Sequence, residues 1–304
     1  MTVLTLGTRG SKLALWQTRF VAERIRAAHP GVEIAIKTIQ THGDATQAAN
    51  IPLSSFGEKG IFAKELEQAL LDDEIDLAVH SMKDLAHTLP AGLAIVAVPP
   101  RESAGDALIG AGLDDLGAGA RVGTGSVRRR ALLLSRRPDL QILEIRGNVD
   151  TRLRKLDEGQ YDAIVLAVAG LRRLGLEHRI AAEMDPLWFV PDPCQGALAV
   201  EGRAGDNRAA DLVACIDDED AEATTRAERA FLRAVGGSCK TPIGASTRLE
   251  GEELLLRGMV AAPDGSSVRT AEWSGSRHDA EEIGCRVAEI ISQAPLPWRG
   301  EPAI

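Results

Sequence analysis

Apolar residues in the first hundred positions follow two periods. In 3–8 (VLTLGT) and 32–39 they recur every second residue or run together, the pattern of a strand covered on one or both faces. Between them Leu13, Trp16 and Phe20 repeat at three- and four-residue steps, which places them on one helical face. Ser11 stands just before that run, in the position of an N-cap. THGD (41–44) reads as a turn, Lys59–Leu71 as a second helix, and Ile75–Val79 and Leu93–Val98 as buried strands. Such alternation predicts a mostly parallel sheet flanked by helices.

Pro99-Pro100 interrupts the pattern, and a second strand–helix series follows. It predicts strands over Arg121–Thr124, Leu140–Ile145 and Asp162–Ala167, with helices from Ser126, from Thr151 and up to Leu174. Pro191-Asp192-Pro193 closes this series, and Ala197–Glu201 reads as one further strand with too little chain after it for a sheet of its own. The economical topology returns that strand to the first sheet, giving two lobes joined by two crossings. A helix over Ala221–Val235 then leads to a meander (Ala245–Leu249, Glu253–Ala261, Val268–Ser274) and a closing helix over His278–Ser292. The expected class is α/β: two lobes with mixed, mostly parallel sheets, plus a smaller α+β third domain. Domain 1 is expected over 1–98 and 197–216, domain 2 over 99–196 and domain 3 over 217–304. Ligands of open α/β sheets sit beyond the carboxyl ends of the strands, so a cleft between the lobes is the expected site.

Charge sharpens that expectation. The chain has 304 residues and a net charge of −9, yet Arg121 to Arg179 hold twelve arginines and one lysine against seven acids. The positive charge is therefore placed, not general, and arginine outnumbers lysine 28 to 7. A guanidinium grips a carboxylate or phosphate through two parallel bonds, so the window predicts a site for a small ligand with several negative groups. An acidic whole and an aromatic share of 3% argue against a nucleic-acid partner. Apolar stretches near Ala91–Val98 and Ala163–Ala169 are too short to span a bilayer, and VLTLGT follows Met1 without a signal-like start. The four cysteines form no C-x-x-C pair and no zinc spacing, which points to a cytoplasmic chain with reduced thiols and no metal.

Four segments carry candidate chemistry. GTGSVRRR (123–130) falls where a strand hands over to a helix, and free N–H groups there favour an anion. Arg128 and Arg129 read as ligand-binding, Arg130 as a solvated helix residue. RGNVDTR (146–152) repeats the device with Arg146 and Arg152, although a salt bridge to Asp150 or Asp157 explains them equally well. HSMKD (80–84) sets Lys83 beside Asp84 at the end of a buried strand, where a carboxylate could bond an N–H group or stabilise a cation. His80, without a second histidine, reads as structural. GGSCKTPIG (236–244) presents Cys239 in a glycine-rich loop beside Lys240, a setting that lowers a thiol pKa. Cys194 in PDPCQG competes with it, and spacing does not separate the two, whereas Cys215 and Cys285 read as small apolar residues in helices.

Together these segments resemble the porphobilinogen deaminase family. The likeness runs from about Thr5 to at least Gly244 and comprises TRGSKLALWQ (8–17), GEKGIFAKELE (57–67), HSMKD, VGTGSVRRR, RGNVDTRLRKLD (146–157), AGLRRLG (169–175) and SCKTPIG (238–244). The resemblance implies an enzyme that condenses four porphobilinogens into a linear tetrapyrrole, working as a monomer. It implies two lobes like those of periplasmic binding proteins, and a covalent dipyrromethane cofactor on Cys239. Asp84 would then be the catalytic carboxylate. Arg9, Ser11, Lys83, Ser126, Arg128, Arg129, Arg146, Arg152, Arg173 and Gln195 match positions that bind or line the cofactor and substrate. The chain departs from the family pattern at Leu85-Ala86-His87, at Cys194 and Ala199 where glycine is usual, and at Gly125 where serine is frequent. The competing reading is a non-catalytic two-lobed binding protein for a small polycarboxylate.

Overall fold

The computed structural model describes residues 2–41, 63–236 and 241–296. The first run comprises β1 (Thr2–Thr8), α1 (Lys12–Ala28), β2 (Val32–Thr38), α2 (Lys64–Leu71), β3 (Leu77–Ser81) and β4 (Leu93–Ala97). The second holds β5 (Asp106–Ile109), β6 (Arg121–Gly123), α3 (Val127–Arg136), β7 (Gln141–Leu143), α4 (Val149–Asp157), β8 (Ala163–Ala167), α5 (Val168–Arg173) and β9 (Ile180–Glu183). The last contains β10 (Leu198–Arg203), α6 (Asn207–Val213), α7 (Glu219–Val235), β11 (Ile243–Glu250), β12 (Glu253–Ala261), β13 (Val268–Ser276) and α8 (Ala280–Ile291). Two compact units result, Met1–Glu102 with Gly196–Glu222, and Ser103–Gln195 with Ala223–Ile304.

The first unit carries a five-stranded sheet in the order β2-β1-β3-β10-β4. β1 runs parallel to β2 (Thr2↔Val32 through Thr8↔Thr38) and to β3, and β10 runs antiparallel to both of its neighbours. Four strands therefore point one way and one is reversed. Leu4, Leu6, Val21, Ile25, Leu77 and Val200 bury the α1 face, while Leu66 and Leu70 of α2 cover Ile75 and Ala78 on the other side. Burying each such large apolar side chain stabilises the fold by about 1.5–3 kcal/mol.

The second unit repeats the plan in the order β7-β6-β8-β5-β9, with β5 as the reversed strand. Each reversed strand follows a proline break: β5 comes after Pro99-Pro100 and β10 after Pro191-Asp192-Pro193. The same unit holds the antiparallel sheet β11-β12-β13, backed by α7 and α8 through Phe231, Leu256, Ile283 and Val287. Gly258 permits that packing, because a Cβ there would lie 2.6 Å from the Phe231 ring. Met259 and Ala261 of β12 also join the core of Leu108, Val122, Leu132 and Val165. The expected class, two mixed α/β lobes and a smaller β-rich unit, is the one observed.

Some boundaries move for local reasons. The helix expected from Thr151 opens at Val149, after Asn148, and the strand expected over Ile75–Val79 lies over Leu77–Ser81. There the Asp76 carboxylate accepts the Thr5 N–H at 2.7 Å, so residues 75–76 still belong to the turn. β5 and β9, each four residues long, were not anticipated. Cys215 and Cys285 are exposed rather than packed as small apolar residues, one in the 3-10 turn Ala214–Ile216 and one on the outer face of α8. Residues 59–62 of the helix expected over 59–71 lie outside the described residues.

Candidate functional site

Parallel neighbours end at one edge, so in the first unit the segments after β1 and β3 emerge together. Arg9 and Ser11 follow β1; Lys83 and Asp84 follow β3. Ser11 caps α1, its Oγ accepting the Ala14 N–H at 3.2 Å. Met82–Asp84 form a 3-10 turn pinned at both ends: Met82 N–H bonds the Ala197 carbonyl at 3.0 Å, and Leu85 N–H bonds the Met82 carbonyl at 3.1 Å. Met82 and Leu85 are buried, whereas Lys83 and Asp84 are half-exposed. The departure at Leu85 thus supplies an apolar anchor under the turn and leaves Asp84 reachable.

Beneath that turn lies a buried acid–base group. His80 on β3 places Nε2 3.0 Å from Glu201 Oε2 on β10, and both side chains are buried. Glu67 of α2 is also buried. Burial and the neighbouring Glu201 push its carboxyl above the ordinary range, partly offset by His80 and Lys64.

In the second unit β6, β7 and β8 are likewise parallel, and their carboxyl edge collects Ser126, Arg146 and, through α5, Arg173. Ser126 caps α3, its Oγ accepting the Arg129 N–H at 3.3 Å. Because β5 runs backwards, its first residue, Asp106, enters from this same edge opposite Ala167. Arg128 and Arg129, read from sequence as ligand-binding, both turn inward onto Asp106. Arg128 Nη2 reaches Oδ2 at 2.7 Å, and Arg129 reaches Oδ1 through Nη2 at 2.6 Å and Nε at 3.1 Å. Their remaining arms bond the carbonyls of Val190 (2.8 Å) and Val165 (2.9 Å). Gln195 Nε2 donates to Asp106 Oδ1 at 2.9 Å and to Ala104 O at 2.7 Å. Burial alone would raise the Asp106 pKa, but the two guanidinium groups and the Gln195 bond more than offset it and hold the carboxyl well below the usual range.

Arg146 is nearly buried and pairs through Nε with Glu144 at 2.9 Å. Arg152 donates from Nε to the Gly147 carbonyl at 2.7 Å. Asp157, one of the partners considered for these arginines, is instead taken by Arg179. Arg173 is half-buried at the end of α5. A Cβ added at Gly125 would sit 3.2 Å from the Ile145 carbonyl, a tight approach that a shift of a few tenths of an ångström would relieve.

Cys239 lies outside the described residues, but both flanks are fixed in the second unit. Upstream, α7 ends at Val235 and Gly236 turns with φ 71°. Downstream, Ala245 N–H bonds the Pro191 carbonyl at 2.9 Å, and a Cβ on Gly244 would strike Val190 O at 2.8 Å. Val190 is also the residue whose carbonyl holds Arg128, at 2.8 Å. Cys194 differs sharply from an accessible thiol. It is buried, its Sγ faces the Thr225 carbonyl at 3.7 Å, and its N–H bonds Glu228 Oε2 at 2.5 Å. Sequence reasoning missed Asp106, although a charged residue opening the apolar tetrapeptide DALI (106–109) was a readable sign of a buried ion pair.

Comparison with known proteins completes the picture. A family model described as "Porphobilinogen deaminase, dipyromethane cofactor binding domain" matches residues 4–211, and one described as "Porphobilinogen deaminase, C-terminal domain" matches 222–293. A porphobilinogen deaminase of Roseiflexus castenholzii is 50% identical over 294 residues, covering 96% of each chain. That of Syntrophotalea carbinolica is 45% identical, covering 95% of this chain and 92% of its own. That of Xanthomonas campestris pv. campestris is 48% identical, covering 95% of both.

Proposed function

The chain belongs to the porphobilinogen deaminase family, and from that premise we propose that Asp84 is the carboxylate at which its chemistry runs. The protein is an enzyme that deaminates porphobilinogen and condenses four molecules head to tail into hydroxymethylbilane. In each step the C–N bond of a protonated aminomethyl group breaks and ammonia leaves with the electron pair. The methylene left behind is electron-deficient. The free α-carbon of the growing chain attacks it, the new C–C bond forms, and that carbon releases its proton. Asp84, presented on a closed turn at the edge of β3, stabilises the positive charge on the ring nitrogens as the C–N bond opens. Lys83 beside it, and Arg9 and Ser11 at the end of β1, orient substrate carboxylates at the same edge.

The second unit supplies the polycarboxylate-binding side of the reaction. Arg128 and Arg129, with Arg146, Arg152 and Arg173 on the same edge, bind acetate and propionate groups, and Ser126 offers its hydroxyl at the start of α3. The donor set suits a dipyrromethane: among the described residues two buried guanidinium groups share a single internal carboxylate, and Arg128 Nε has no acceptor. When bound, that cofactor supplies the free α-carbon on which the chain grows. Cys239 is its anchor; the burial of Cys194 argues against the alternative thiol. The sheets support a division into domain 1 (1–98 and 197–216), domain 2 (99–196) and domain 3 (217–304), since each sheet is complete within one of them.

The observation that carries this reading is the pinned Met82–Asp84 turn, which leaves Asp84 accessible beside the end of β1. Intact mass and peptide mapping test the anchor: purified enzyme is expected to exceed its sequence mass by a two-ring adduct located at Cys239. Active protein with an unmodified thiol there would refute the assignment. A non-catalytic polycarboxylate binder would release no ammonia from porphobilinogen and would tolerate Cys239→Ser.

A further inference from the structure

We infer that Asp106 is a positioning residue for carboxylate binding, holding Arg128 and Arg129 as a fixed pair that keeps one positive charge unbalanced. The inference rests on the reading that these two arginines bind the carboxylates of cofactor or substrate, and it adds how they are aimed.

Asp106 has no exposed side-chain surface, and its two oxygens receive bonds from Arg128 Nη2, Arg129 Nη2, Arg129 Nε and Gln195 Nε2, all at 2.6–3.1 Å. Oδ1 receives three of these bonds and Oδ2 one. Together they fix geometry: the two guanidinium groups cannot rotate without breaking bonds to Asp106 or to the Val190 and Val165 carbonyls. The arrangement also leaves the charges unequal. Two buried cations share one anion, and the remaining contacts are to neutral carbonyls and an amide. Burying an unmatched charge is unfavourable, and a purely structural cluster would gain from a second acid. Arg128 Nε, fully buried, has no acceptor among the described residues. A built pair with surplus charge and an unused donor is the expected form of a site completed by an arriving carboxylate.

Gln195 belongs to the same device. Its Nε2 donates to Ala104 O, Gly105 O and Asp106 Oδ1, tying the start of β5 to the segment before β10. The amide bridges Asp106 to two neighbouring carbonyls without adding negative charge, so the surplus on the arginines is preserved.

Asp106→Glu tests the inference, because it keeps the charge and shifts the carboxylate by one methylene. The holoenzyme variant is expected to stay folded. Either the fraction of chains carrying the two-ring adduct falls, or KM for porphobilinogen in the loaded fraction rises, by about 10-fold or more. kcat of loaded enzyme should change by less than about 3-fold. Asp106→Asn, matched in shape but uncharged, should move the same quantities at least as far. If either variant folds with wild-type adduct occupancy and wild-type KM, Asp106 is structural only and the inference is overturned. Arg128→Ala and Arg129→Ala separate the two levels. Unchanged occupancy and KM in both would sink the carboxylate-binding reading itself, whereas a loss there with unaffected Asp106 variants sinks only the positioning role.

Discussion

The two α/β units share a sheet plan but invest their carboxyl edges differently. In the first, Lys83 and Asp84, the proposed working groups, stand half-exposed on a 3-10 turn, and His80, Glu201 and Glu67 are buried nearby. In the second, Arg128 and Arg129 are themselves buried and locked to Asp106. A group that must follow a moving reaction centre gains from access, whereas groups that grip repeated carboxylates gain from rigidity and low dielectric. The buried acids show the same division. Asp106 meets two cations and is held ionised; Glu67, desolvated by burial and facing another carboxylate, is pushed towards its neutral form.

The largest expected effect is on the exposed side of the comparison. Asp84→Ala removes a half-exposed side chain that anchors no core packing, so the thermal midpoint should move little. Turnover should fall by about 10²–10³ or more, the usual loss when a preorganised charge-stabilising group is removed. Steady-state kinetics on adduct-loaded protein check this, and retained turnover would remove Asp84 from the mechanism.

The mirror-image change in the second unit should act on stability. Asp106→Ala leaves two buried guanidinium groups without their carboxylate, a loss of about 3–5 kcal/mol. The pH sign follows from the lowered pKa. Stability from Asp106 is complete above the unfolded value of about 3.9 and disappears as pH falls towards the lower folded value. Chemical denaturation between neutral pH and pH 3 should therefore show an acid-side decline that is shallower in Asp106→Asn. An identical slope in both proteins would contradict the assignment.

Glu67 carries the opposite sign. Its raised pKa means that its contribution is present below the unfolded value of about 4.3 and is lost as pH rises through the folded value. Once ionised, the carboxyl has lost its hydration to burial and faces Glu201. Glu67→Gln should accordingly raise the neutral-pH midpoint by about 1–3 °C, with the gain vanishing in acid. A lower midpoint at neutral pH would show that Glu67 is held by its bonds more than it is strained by its burial.

Much of this arrangement was legible in the chain because it is local. The cap at Ser11 stood directly before helical periodicity and accepts the expected N–H bond, and Ser126, read as the start of a helix, caps it in the same way. The prolines at 99–100 and 191–193 marked the two crossings, and the orphan strand after the second did return to the first sheet. What remained unread was non-local. β5 is too short to show a period, and its reversed direction brings Asp106 to Arg128 and Arg129 across 22 and 23 residues. The motif around Arg128 showed that charge gathers there, but not that Arg128 and Arg129 turn inward onto Asp106. Nor could spacing rank Cys194 against Cys239, since burial by Thr225 and Glu228 arises from α7, some thirty residues on.

Cys194 gives the finest test of how the second unit tolerates strain. Its φ of 63° lies in the left-handed region, where a side chain costs roughly 1–2 kcal/mol relative to glycine. The conformation persists because the N–H is held by Glu228, whose other oxygen bonds the Thr247 hydroxyl, and because the sulfur is buried. Cys194→Gly relieves the strain but loses the packed sulfur and loosens the unfolded chain, so the net change should be within about 1 kcal/mol. Cys194→Ala loses the sulfur and keeps the strain, and should be less stable than the glycine variant by about 1 kcal/mol. Denaturant midpoints of the two variants decide the matter. Equal midpoints would mean that the Glu228 bond, and not the absence of a Cβ, sets the backbone at this position.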